Sequence, residues 1–272
     1  MRFGVCINMG AADPEGIGAA RIGEAAALGF DYVEVPLAQV MALSPEAFEA
    51  GPVRALRLAG IPCACMNNFF PASCRLTGPA ADHASALAYA ERALDRASAL
   101  GADRVVFGSS GARNVPDGFS IDEARGQLVR LLEALVPFAR RRGITLVIEP
   151  LNRIESNIVN TLGEGLALAR GANDPAIACL VDFYHAGLSG DPCASIAEAG
   201  SLLRHMHIAR TLGRSMPILA EEDAYRPFFA ALHAAGYDGT VSLEAFAPDD
   251  FAGRAARSLA LLRALWAEAA EQ

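Results

Sequence analysis

Four residues in the second half of this sequence have the types and spacing to do chemistry together: Glu149, Asp182, His207 and Glu244. Each closes a short apolar run, and alternate positions of such a run share one face of a strand. Ile144, Leu146 and Ile148 oppose Thr145, Val147 and Glu149. Ile177, Cys179 and Val181 oppose Ala178, Leu180 and Asp182. Met206 and Ile208 oppose His205 and His207, and Val241 and Leu243 oppose Thr240, Ser242 and Glu244. The larger apolar face suits packing against helices. The smaller, more polar face suits the inside of a barrel, and each one ends in a potential metal ligand. Three carboxylates and an imidazole converging on one mouth need a counter-charge, because two carboxylates ~4 Å apart repel by about 4 kcal/mol at an effective dielectric of about 20. A divalent cation meets that need. An oxygen-rich set with one nitrogen suits Mn²⁺ best, suits Mg²⁺ or Co²⁺, and permits Zn²⁺. Such an ion, bound to adjacent oxygens of a hydroxy-ketone, would stabilise the enediolate left by proton removal. A carboxylate on each side of that carbon could take the proton and return it. His205, two residues before His207 on the same face, lies one layer deeper and is expected to be structural.

These four runs belong to a set of eight. Strands are predicted at 3–8, 31–36, 62–66, 103–108, 144–149, 176–182, 203–208 and 239–244. Alanine- and leucine-rich stretches with apolar spacing of three and four lie between them. Gly29, Gly60, Gly101, Gly143 and Gly236 each stand just before the next strand, where a glycine closes a helix in the left-handed conformation. The run Arg140-Arg141-Arg142 complements the negative end of one such helix. Eight strand–helix units predict a parallel sheet covered by helices. In 272 residues they predict closure into a single α/β domain, a (β/α)8 TIM barrel over 1–272, with the chemistry at the C-terminal ends of the strands.

Composition narrows the field. All 23 basic residues are arginine. The absence of lysine excludes a Schiff-base lysine and a P-loop. A net charge of −8 speaks against nucleic-acid binding. No apolar run reaches the roughly 18 residues of a membrane span, and the N-terminus lacks the layout of a signal peptide, so a cytoplasmic protein without membrane contact is expected. The six cysteines form no CxxC pair. Cys6, Cys63, Cys65 and Cys179 fall in strand-like runs and are expected as reduced, buried thiols.

The segment VIEPLNRIESNIVNT (147–161), with VDFYHA (181–186), HMHIAR (205–210) and SLEAF (242–246), resembles the sugar isomerase/epimerase barrels, the xylose-isomerase-like superfamily that includes D-tagatose 3-epimerase and hydroxypyruvate isomerase. The segments 66–79 and 105–119 resemble further members of the same superfamily. The resemblance covers all eight units. It implies that Glu149 and Glu244 are both metal ligands and the proton-transferring pair, and that Asp182 and His207 complete the metal site. It implies substrate contacts for Glu155, His185 and Arg214. The run HIARTLGR is one residue longer than the epimerase pattern, so Arg210 is a rival to Arg214. Hydroxypyruvate isomerases usually carry glutamine where His207 stands, which places the chain nearer the epimerase branch. The more distant DNA-repair branch needs more histidines than the five present.

The expected activity is therefore metal-dependent epimerisation or isomerisation of a small sugar. One alternative keeps the same proton abstraction but ends in elimination: a lyase or dehydratase acting on a keto-inositol or a 3-keto-glycoside, with His185 or Tyr184 as general acid. Another is a sugar-binding barrel without turnover. The acidic loop FAPDDF (246–251) disfavours a phosphate group, so the expected partner is a non-phosphorylated sugar or polyol. Phe69 and Phe70 would either wall the pocket or pack in the core. Members of the superfamily often form dimers or tetramers, which leaves a homo-oligomer open.

Overall fold

A computed structural model describes residues 1–272 except 11, 12, 14, 191, 192, 194, 248 and 272. Eight strands, β1 (Arg2–Cys6), β2 (Tyr32–Pro36), β3 (Cys63–Asn67), β4 (Arg104–Phe107), β5 (Thr145–Ile148), β6 (Ile177–Asp182), β7 (Leu203–Ile208) and β8 (Thr240–Leu243), pair in sequence order and close into a barrel. Every neighbouring pair is parallel, including β8 with β1. The predicted (β/α)8 architecture is therefore observed. The longest connecting helices are His83–Ala99, Ile121–Arg141 and Phe251–Ala270.

Local chemistry fixes these boundaries. Helix Ile121–Arg141 starts where the Ser120 hydroxyl accepts the Glu123 amide, and helix Leu162–Ala172 where Thr161 accepts the Glu164 amide. Both have the S/T-x-x-E spacing of a capping box. The five predicted helix-closing glycines all have φ between 65° and 86°. Arg140, Arg141 and Arg142 pair with Asp174, Glu91 and Asp95. Two strands are shorter than predicted at the ends that matter: β5 stops at Ile148 and β8 at Leu243. The ladder nevertheless carries on one step, since the Glu149 amide donates to Phe107 and the Glu244 amide to Ile208. β1 ends at Cys6 and turns into a 3-10 segment, Ile7–Gly10, in place of the longer strand expected.

The faces fall as the alternation predicts. The large apolar residues join the helix layer in one core. Cys65, Val106, Val147, Ala178 and Leu180 form a separate small cluster inside the barrel. The opposite half of the interior is polar, built from Tyr32, Glu34, His205, Thr240 and Ser242, all buried. Gly4 makes room for the Tyr32 ring there, since a Cβ at Gly4 would lie 2.2 Å from Tyr32 Cε2. Cys6, Cys63, Cys65 and Cys179 are free and buried. Phe69 and Phe70 pack on each other, with ring centroids 4.2 Å apart, and Phe70 also packs on Tyr89 and Phe107; Phe69 and Phe70 are core residues. Among the described residues no helix is long and apolar enough to cross a membrane.

Candidate metal centre

Glu149, Asp182, His207 and Glu244 meet at the C-terminal mouth of the barrel. Each offers a ligand atom, and these atoms all lie within 4.8 Å of one another. All four residues are buried. Nδ1 is the His207 atom that faces the carboxylates, 3.0 Å from Glu149 Oε1, 3.5 Å from Glu244 Oε2 and 4.0 Å from Asp182 Oδ2. Its other nitrogen, Nε2, points down the barrel to Glu34 Oε1 at 3.1 Å. A carboxylate on the far nitrogen of a histidine fixes both ring orientation and tautomer for a metal ligand.

Asp182 divides its two oxygens. Oδ1 accepts the Tyr184 amide at 2.7 Å and the His185 amide at 3.3 Å, capping helix Phe183–Leu188. Oδ2 is buried and, among the described residues, has no hydrogen-bond partner. A buried, unpartnered carboxylate oxygen is costly, and here it is aimed into a ring of ligand atoms. The donor set therefore fits a divalent ion.

The resemblance-derived residues flank this ring. His185 Nδ1 accepts the Asn152 backbone amide at 3.2 Å, so it carries no proton and the proton sits on Nε2. Nε2 is buried, 3.7 Å from Asp182 Oδ2, and has no hydrogen-bond partner among the described residues. Arg214 has φ 46°, and its guanidinium lies over the Tyr184 ring, 4.8 Å from the centroid. It hydrogen-bonds Glu244 Oε2 and stands 3.7 Å from Glu155 and 3.9 Å from Asp182. The longer HIARTLGR run thus still delivers Arg214 to the mouth. Among the described residues, no ion pair joins Arg210 to these carboxylates. Glu155 is held by Asn152 Nδ2 at 3.0 Å and lies at the rim.

The two outer glutamates are electrostatically unlike. Burial raises the Glu149 pKa, and hydrogen bonding to His207 only partly offsets it. Burial also acts on Glu244, but Arg214 and His207 overcome it and hold that carboxyl well below the usual range. His207 is raised, because Glu34 and Glu244 outweigh the effect of burial. His205 is pushed down to about 4 by burial. Its Nδ1 bonds Thr240 Oγ1 at 2.8 Å and its Nε2 bonds Glu34 Oε2 at 3.0 Å, which gives it the structural place expected.

Three contributors escaped the sequence reading. Glu34 is fully buried and joins His205, His207 and Ser242; a charged residue alternating with Val33 and Val35 in DYVEVP was its signal. Asn67, ending β3, donates to Glu244 Oε1 at 3.3 Å. Gly108 has no sequence signal beyond ending a predicted strand, yet a Cβ there would lie 1.9 Å from Glu149 Oε2. The Glu149 carboxylate occupies the space this glycine leaves.

Over 145 residues the chain is 32% identical to an L-ribulose 3-epimerase of Methylomonas sp. (strain DH-1), covering 53% of this chain and 50% of that one. Over 127 residues it is 33% identical to a ketose 3-epimerase of Arthrobacter globiformis, covering 46% and 43%. The chain thus spans about half the length of the curated relatives it matches. A solved D-psicose 3-epimerase from Clostridium cellulolyticum H10 superposes with a TM-score of 0.83 at 20% identity, over 98% of this chain and 99% of that one, which is a likeness of fold. The profile of the xylose isomerase-like TIM barrel family matches residues 22–265, and the chain belongs to that family.

Proposed function

We propose that this protein is a divalent-metal-dependent epimerase or isomerase of a small, non-phosphorylated ketose or related sugar, with Mn²⁺ as the preferred ion. The observation that carries the reading is the buried ring of Glu149, Asp182, His207 Nδ1 and Glu244, in which Asp182 Oδ2 has no hydrogen-bond partner among the described residues. The relatives named ketose and L-ribulose 3-epimerases support it. Bound there, a divalent ion supplies the positive charge that makes a proton beside a carbonyl acidic. Glu149 and Glu244 are the bases: one removes the proton at C3 (or C1) of the keto sugar and the other returns it. Proton transfer by a placed carboxylate is worth about 10²–10⁴-fold in rate. His185 offers its Nε2 proton to a substrate oxygen. Arg214 and Glu155 bind hydroxyl groups at the rim, and Tyr184 supports the Arg214 guanidinium from below.

The balance of charge in the mouth favours a neutral substrate. Arg214 is already committed to Glu244, and the adjoining carboxylate of Glu155 would repel a phosphate. If Arg214 serves binding, Arg214→Ala raises KM by about 10- to 100-fold, the size of a lost charge-assisted hydrogen bond, with metal content unchanged. An unchanged KM would remove Arg214 from substrate binding. The buried Nε2 of His185 is also placed to hydrogen-bond a leaving oxygen, the position a lyase on a 3-keto-glycoside or keto-inositol would use.

One experiment tests both readings. The Mn²⁺-loaded protein is incubated in D₂O with ketoses, aldoses, keto-inositols and 3-keto-glycosides, beside a chelated control. Metal-dependent deuterium at a carbon next to a carbonyl, with an epimer or isomer formed, supports the proposal. An eliminated product moves the assignment to the lyase. No exchange on any compound at confirmed metal occupancy overturns both in favour of a sugar-binding barrel.

A further inference from the structure

The segment after β4 contains an arginine that the proposed chemistry does not use. Arg113 is fully buried in the short helix Ser110–Arg113. Among the described residues no carboxylate forms an ion pair with it. Its two terminal nitrogens are spent on backbone carbonyls instead. Nη1 donates to Phe107 at 2.9 Å, the last residue of β4, and Nη2 donates to Glu149 at 2.7 Å and to Val159 at 3.5 Å. Burial lowers its pKa to about 10, which leaves it charged at neutral pH. An arginine held charged in the interior is a demanding arrangement, and two of the three carbonyls it gathers, those of Glu149 and Val159, belong to the strand end and loop that carry Glu149.

The next residue extends the same device. Asn114 Nδ2 donates to the Glu155 carbonyl at 3.2 Å, while its Oδ1 accepts the Ser156 hydroxyl at 2.8 Å and the Asn157 amide at 3.3 Å. Asn157 in turn bonds both backbone groups of Val115, at 2.9 and 2.8 Å. From the other side, Thr77 Oγ1 donates to the Arg113 and Asn114 carbonyls at 3.0 and 2.9 Å, and Arg75 donates to those of Gly111 and Asn114, both at 2.7 Å. Three successive barrel loops are thereby fastened in one chain. The loop being held is strained: Val159, β-branched, has φ 59°, a conformation such a residue keeps only when its surroundings enforce it.

We propose that Arg113 and Asn114 are positioning residues that act on two different parts of the site. Arg113 sets the backbone of Glu149, and with Gly108 it determines where that carboxylate stands. Asn114 sets the backbone of Glu155 at the substrate rim. This rests on the metal-site reading above, but its first test does not need a metal. In Arg113→Met, hydrogen exchange of the amides in 150–160 should speed up locally. A control, Leu131→Ala in helix Ile121–Arg141, truncates a side chain that is buried in the core and makes none of the hydrogen bonds of the clamp, so exchange in 150–160 should rise no more than elsewhere. The second test uses Mn²⁺ alone, titrated into apo-protein. Arg113→Met should raise its Kd by about 10- to 100-fold, the usual effect of losing a group that orients a ligand, and lower kcat with KM little changed. Arg113→Lys should recover part of both. Asn114→Ala should raise KM and leave the Mn²⁺ affinity alone.

Unchanged exchange in 150–160 in Arg113→Met overturns the clamp, as does equal Mn²⁺ weakening in the Leu131→Ala control. If Arg113→Met does not fold, Arg113→Lys and Asn114→Ala decide: loss of the split between metal affinity and KM overturns the proposal. Wild-type protein that takes up no Mn²⁺ overturns the metal-site reading, and the exchange result then judges the clamp by itself.

Discussion

Glu149→Gln is expected to lower solvent proton exchange on the substrate by about 10²–10⁴-fold while leaving circular dichroism and thermal midpoint close to those of the wild type. Glutamine has the shape of glutamate, so it fits the space above Gly108 that the carboxylate occupies. The backbone contacts of residue 149, its amide to Phe107 and its carbonyl to Arg113, are untouched. What disappears is the basic oxygen and one of the three negative charges of the ring. Exchange is measured at an Mn²⁺ concentration that saturates the variant, so that a weaker metal affinity is not read as a lost base. Glu244→Gln does not serve as well for a first test, because Arg214 and Asn67 both bond that carboxylate and its loss would also release the arginine. Wild-type exchange in Glu149→Gln would take Glu149 out of the proton transfer.

The barrel was legible because parallel strands in a closed sheet keep a strict alternation, and here the two faces differ in size and polarity. Val147, Ala178 and Leu180 could be placed inside and Ile148, Cys179 and Val181 outside from spacing alone, and the structure puts them there. The ligand ring followed from the same alternation, since Glu149, Asp182, His207 and Glu244 each end an inward face. What alternation does not report is depth and cross-strand register. Glu34 has an inward position like the others, but only the closure of β2 near β7 and β8 brings it under His207 and His205. Gly108 was invisible for another reason: its importance lies in the atom it lacks, and no pattern of side chains records that. Arg113 lay in a segment marked only by resemblance. A sequence shows an arginine but not that its partners are the backbone carbonyls of Phe107, Glu149 and Val159.

The histidine pair offers the other large effect. His207→Ala is expected to raise the Mn²⁺ Kd by more than about 100-fold, beyond the roughly 10- to 100-fold typical of an outer partner, because it deletes the one nitrogen of the donor set. His205→Ala should weaken binding by about tenfold or less and act mainly on stability. The two rings are neighbours, with centroids 4.9 Å apart, and both bond the Glu34 carboxylate, so proximity does not separate them. Geometry does. His207 turns Nδ1 to the three carboxylates and Nε2 to Glu34, whereas both nitrogens of His205 are consumed by Thr240 and Glu34 below the ring. Without His205, Glu34 keeps Ser242 and His207 as partners, so the ligand tautomer survives. Without His207, the carboxylates lose their link to Glu34 altogether. Titration of Mn²⁺ into each apo-variant, followed by the loss of the free-ion electron paramagnetic resonance signal, reads the difference directly. Equal weakening in the two variants would mean that the ring is held by the Glu34 network as a unit and that Nδ1 of His207 is not its decisive ligand.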